Sequence, residues 1–139
     1  MRSSVTDPYG RPLLVHEWLE TYAGSERVLE QMLISLPDSE LACLCDFVPE
    51  DQRDFLQGKR PKTTFIQRLP GAAKHFRNYL PLMPIAIEQM DVSAYEVILS
   101  SSHAVAKGVL TGPDQLHLSY VHQYRRWQAM RLCIATLLT

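Results

Sequence analysis

The chain has 139 residues, 46% of them hydrophobic, and a formal net charge of -1. That length and apolar share fit one globular domain with a real core, and the near-neutral balance without a recognition motif gives no reason to expect nucleic-acid binding. No run of 18 or more apolar residues occurs, so no segment is expected to span a membrane, and the opening MRSSVTDPYGRP lacks the apolar stretch of a secretory leader.

Pro12 to Glu17 reads as a first strand that runs into His16-Glu17-Trp18. After a small-residue turn, Ala23-Gly24-Ser25, an amphipathic helix is expected from Ser25, its N-cap, to Leu36. Val28, Leu29, Met32, Leu33 and Leu36 share one face, and Pro37 stops the helix. Glu40 to Val48 is apolar at nearly every position, as a strand covered on both faces is. Cys43 and Cys45 within it are expected on opposite sides of the layer. With Cys133 they read as reduced, buried or half-buried thiols of a cytosolic protein. A short helix is expected in Glu50 to Leu56. The β-branched and aromatic KTTFIQRL, Lys62 to Leu69, reads as a third strand. Lys74 to Met90 is helical in pattern but must be kinked or split by Pro81 and Pro84. Tyr95 to Ser101 is a fourth strand, Ala104 to Leu110 a short helix closed by Gly112-Pro113, and His117 to His122 a fifth strand. Strands alternating with helices imply right-handed crossovers. The expected fold is α/β, a Rossmann-like parallel sheet with helices on both faces.

A strand, a glycine turn and a helix N-terminus in that order let backbone N–H groups face an anion, with the helix dipole adding about half a positive charge. In open α/β sheets the ligand lies beyond the carboxyl ends of the strands. Those ends carry His16-Glu17, Ser100-Ser101-Ser102-His103 and Tyr120-Val121-His122, so three of the five histidines fall at one edge. Their shared chemistry is hydrogen bonding to hydroxyls or phosphates, or stabilising developing charge. Glu17 is the one carboxylate at metal-ligand spacing from them, and Cys43-x-Cys45 has no further ligands, so no metal site is expected.

HEWLETYAGSERVL resembles the opening of glycosyltransferase family 4, where a strand ending in H-[DE]-W-L leads to a G-G-[AS]-E-R-V-L loop and helix. YEVILSSSHAVAKGV followed by HLSYVH resembles that family's later strand ends, in the same order and at similar spacing. The likeness runs from about Leu14 to His122. It is closest to bacterial members that add mannose or similar sugars to lipid-linked saccharides. The resemblance implies the N-terminal, acceptor-side half of a GT-B fold. It also implies retention of anomeric configuration, and a nucleotide-sugar as co-substrate without cofactor or metal. By motif match, Gly24 and Ser25 lie by the donor diphosphate, His103 by the transferred sugar, and His122 faces the same cleft. His16 and Glu17 line the acceptor side. Glu26 and Arg27 belong to the motif too, with a helix-surface ion pair or a capping role as the alternative. Ala23 stands where the first family glycine sits. Relatives continue after the last strand with T-P-M-R-Y-A-W-D-L, whereas this chain reads Gln123-Tyr124-Arg125-Arg126-Trp127-Gln128. Residues 123–139 therefore read as an atypical tail after a domain of residues 1–122, with the donor-binding domain missing and the lone chain inactive.

Charge is segregated. Residues 1–54 hold 11 acidic and four basic side chains. Lys59, Arg60, Lys62, Arg68, Lys74 and Arg77 then follow with no acid among them. Phe65, Ile66, Leu69, Phe76, Tyr79 and Leu80 are interleaved. Such a stretch suits an anionic membrane surface or a lipid phosphate, and equally a solvated basic face. Two function classes follow. One is a sugar transferase half, peripheral to the inner membrane leaflet. The other is a non-catalytic α/β binding module or relic that docks anionic lipid or a partner. An uncovered final strand would favour self-association.

Overall fold

The computed structural model describes residues 10–122, so the expected tail and Cys133 lie outside the described residues. Four parallel strands form one sheet: β1 (Leu13–Leu19), β2 (Glu40–Asp46), β3 (Val97–Ser102) and β4 (Leu116–Val121), in the order β2-β1-β3-β4. The fold is α/β and Rossmann-like. The order reverses between β1 and β3, and a crevice opens beyond their carboxyl ends at such a reversal.

Each face of the sheet has its own core. On one side Leu13, Val15, Leu44 and Ile98 pack with Ile66, Phe76, Met83 and Ile87. On the other, Leu14, Leu41 and Cys43 pack with Leu29 and Leu33 of α1 (Gly24–Ser35) and with Phe55 and Leu56. Cys43 and Cys45 fall in different clusters, as expected, although residues two apart in a regular strand share a side. Their partners across the ladder are His16 and Trp18, and the alternation slips between these two pairs, where Glu17 and Leu44 drop out of the ladder register. Burial raises both thiols, Cys43 well above the usual range and Cys45 to about 12, so neither is poised to react at neutral pH.

The expected third strand is not formed. Lys62 makes one parallel bridge to Ala42 on the outer edge of β2, and the chain then turns into a 3-10 helix over Phe65–Arg68. Two side chains explain the change. The Thr64 hydroxyl accepts from Ile66 N–H at 3.3 Å, which opens the turn. The Gln67 amide accepts from Asp46 N–H at 2.6 Å and donates to Asp46 C=O at 2.9 Å, doing for β2 what a neighbouring backbone would do. The segment from 74 to 90 is split, as its prolines require: α2 (Ala72–His75), a 3-10 stretch Phe76–Leu82 holding Pro81, and α3 (Met83–Glu88) with Pro84 in its first turn. The expected helices over 50–56 and 104–110 shrink to 3-10 turns at Glu50–Gln52, Asp54–Leu56 and Ala106–Gly108. No helix among the described residues is long and apolar enough to cross a membrane.

Candidate functional site

β1 runs two residues further than its sequence suggests, to Leu19, so His16 and Glu17 lie within the strand rather than at its end. Both are fully buried. His16 faces α1, where its Nε2 meets Glu26 Oε1 at 3.3 Å. Glu17 faces the segment after β3. Its Oε1 accepts from the Ser102 hydroxyl at 2.8 Å and from the backbone N–H of Ala104, Val105 and Ala106 at 2.9, 2.7 and 2.8 Å.

The start of α1 differs from the sequence reading in one respect. Ala23, in an extended conformation, is the N-cap, and Ser25 is the second helical residue. Glu26 accounts for this. Its Oε2 accepts from Ala23 N–H at 3.1 Å and from the Ser25 hydroxyl at 2.9 Å, so the carboxylate caps from within the first turn. Burial pushes the Glu26 carboxyl up. The hydrogen bonds from His16 and Ser25 outweigh that and hold it below the ordinary carboxylate range. Arg27, also singled out by the motif, stays on the surface with its guanidinium 5.7 Å over the Tyr22 ring.

An open depression of about 560 Å³ lies beyond the carboxyl ends of β1, β3 and β4. Gly24, Ser25, His103 and His122, drawn from three separate segments, all line it, together with Trp18 and Arg77. The His103 ring stands edge-on to Trp18 at 4.7 Å, and its centroid is 6.4 Å from that of His122. The Ser101 hydroxyl sits 2.8 Å from His122 Nε2, and Tyr120 flanks His122 at 4.9 Å. Trp18 and Tyr120 are not singled out by the sequence as site residues; Trp18 is signalled by the H-[DE]-W-L motif, and Tyr120 by its position near a histidine at a strand end. Burial lowers His103, with Glu17 opposing the shift and His16 reinforcing it. Burial, then His103, lowers His122. At neutral pH both rings are therefore held toward the neutral form, each able to donate one hydrogen bond and accept another. Among the described residues, no three His, Cys, Asp or Glu side chains converge as a metal-ligand set.

Half of the basic segment is paired with acids. Arg60 forms a two-point ion pair with Glu50, both bonds at 2.9 Å. Lys62 lies 3.2 Å from Glu40 and 2.8 Å from the Tyr95 hydroxyl. Lys59 caps the carbonyls of Pro37 and Ser39, and Arg77 pairs with Glu20 at 2.8 Å on the rim of the depression. Arg68 and Lys74 have no charged partner among the described residues.

Gly24 gives a direct test of whether the helix start receives a ligand. A Cβ placed there meets nothing within 4 Å, and the backbone is not left-handed. Gly24→Ala is therefore expected to leave stability unchanged or raise it by about 0.5 kcal/mol. The same methyl narrows the approach to the amides, so anion binding at the depression should weaken several-fold. Chemical denaturation beside a diphosphate titration separates the two effects.

Comparison of the chain with protein-family models, with curated proteins and with solved structures finds no match.

Proposed function

We propose that the depression is the acceptor-side wall of a sugar-transfer cleft, and that the chain is the N-terminal half of a retaining glycosyltransferase of the GT-B kind. The donor is a nucleotide-sugar, and the acceptor a lipid-linked saccharide at the inner membrane leaflet. One observation carries this reading. Gly24 and Ser25 after β1, His103 after β3 and His122 after β4 come from distant parts of the chain and line one cavity. The amides that start α1 suit a leaving diphosphate, which needs charge stabilisation without proton transfer. His103 and His122 supply neutral ring N–H groups for sugar hydroxyls or phosphate oxygens. Binding of a diphosphate draws both rings toward the protonated form, so affinity rises from pH 8 to pH 6. The donor half that the resemblance implies is not among the described residues. Without a facing donor half, this wall is expected to bind weakly and to turn nothing over, because half a cleft does not fix donor and acceptor together.

The test is an amide and histidine NMR titration with GDP-mannose and with uridine diphosphate sugars. The reading requires shifts at Gly24, Ser25, His103 and His122, and at least a tenfold loss of affinity in His103→Ala. Saturating nucleotide-sugar that moves none of those four signals would sink it.

A second reading, the non-catalytic docking module, has its own support. Residues 55–87 contain no acid. They carry Arg68 and Lys74, without ion-pair partners among the described residues, and the exposed apolar side chains Phe65, Leu82 and Ile85. Sedimentation with phosphatidylglycerol vesicles, against neutral vesicles and a variant with Arg68 and Lys74 changed to Ser, tests that surface. Self-association belongs to the same reading. Leu116, Leu118, Tyr120 and Val121 of the edge strand β4 are all about half exposed.

A further inference from the structure

We infer that Glu17 is the positioning residue of the cleft: it fixes the segment that carries His103 and sets the charge environment in which His103 works. One carboxylate oxygen holds that segment. Glu17 Oε1 takes four donors, the Ser102 hydroxyl and the three successive amides of Ala104, Val105 and Ala106, all between 2.7 and 2.9 Å. These donors bracket His103 on both sides in sequence. The backbone that places its ring is thus tied to β1 rather than left as a free connection. Successive amides aimed at one carboxylate oxygen form an anion nest, and here the anion is built into the protein. Glu17 Oε2 is buried with no partner among the described residues. A neutral, fully satisfied side chain would have served the fold at lower cost.

The electrostatic consequence is specific. Among the described residues, the charged or titratable groups facing His103 include Glu17 and His16 from β1, Glu26 from α1, Arg77 from the 3-10 stretch after α2, and His122 after β4. Burial, His16 and Arg77 disfavour the protonated ring. Glu17 favours it more strongly than any other neighbour. One carboxylate therefore holds the loop in place and keeps His103 within reach of protonation when an anion enters.

The inference rests on the reading of the depression as a cleft in which His103 acts, but its test needs no substrate. In Glu17→Gln the side chain keeps its shape and its acceptor oxygen and loses its charge. The variant should fold, with a native circular dichroism spectrum. The His103 ring, followed by its NMR titration in the full chain, should titrate at a clearly lower pH than in the parent, and the amides of 104–106 should shift. A folded Glu17→Gln chain with an unmoved His103 midpoint would overturn the assignment. If that variant does not fold, Ser102→Ala keeps the charge and removes one donor. The amides of 104–106 should then shift while His103 keeps at least its parent midpoint, and unmoved amides would count against the proposal. A merely structural role would alter stability in Glu17→Gln without a directed change in the His103 titration. A chain that fails to bind nucleotide-sugar leaves this result standing.

Discussion

Phe76→Ala is expected to lower the stability of the chain by about 3–5 kcal/mol, as removal of a large aromatic side chain from a closed core does. Phe76 is 1% exposed and sits between Trp18, at 5.5 Å, and Phe47, at 6.0 Å between ring centroids. It also lies under the Arg77 guanidinium at 4.8 Å. The surrounding strands cannot collapse into the space, so the cavity adds to the lost burial. A domain of this size holds roughly 5–15 kcal/mol in all. The variant should therefore unfold at a much lower urea concentration with an unchanged slope. Trp18, the wall of the depression against His103, loses its support at the same time. Any ligand response at the cleft should weaken together with stability. A urea midpoint within experimental error of the parent's would show that this face of the sheet is not packed as described.

Glu26→Ala comes next, at roughly 1–3 kcal/mol, because it breaks a buried pair and uncaps α1 in one step. His16 is left with neither ring nitrogen paired, since Nδ1 has no partner among the described residues to begin with. The pH dependence follows from the direction of the shift. Glu26 is held below its unfolded value, so its contribution is complete above the ordinary carboxylate range and is lost as pH falls through the lower, folded value. The gap between parent and variant should be constant near neutrality and close below about pH 4.5. The histidines act in a separate window. His103, His117 and His122 are all lowered, so the unfolded chain takes up protons first. Stability of parent and variant alike should decline as pH drops below about 6.5. Urea melts at pH 7.5, 5.5 and 4 separate the two effects.

The parallel sheet is legible in the sequence because its strands are short apolar runs punctuated by turn residues, and such runs have few other folds open to them. The segment Lys62–Leu69 departs from its pattern for an instructive reason. Its β-branched character is real, yet Thr64 and Gln67 bond to backbone that only the folded neighbour β2 provides, and local propensity is blind to that. The start of α1 departs in the same way. A serine before an apolar face is a good cap in isolation, but Glu26 reaches the free amide first. At the site, the convergence of Gly24, Ser25, His103 and His122 follows from sheet topology alone. The inward aim of His16 and Glu17 does not. It depends on β1 extending through Leu19, and strand ends are set by partners rather than by the strand's own residues. The basic cluster is visible as composition, while its ion pairs to Glu20, Glu40 and Glu50 are tertiary and leave no trace in the run itself.

The bond from Glu17 to Ser102 spans 85 positions of the chain. The central pairing of β1 with β3, to which it belongs, closes a loop that takes in both helical layers. Such closures cost entropy before any contact repays it, and a topology that depends on them folds slowly. β1 and β2 can pair as soon as α1 has formed between them, but β1 must then keep its other edge open until β3 arrives. The crevice between those two strands comes into being with that closure, so the capacity to bind should appear in refolding no earlier than it.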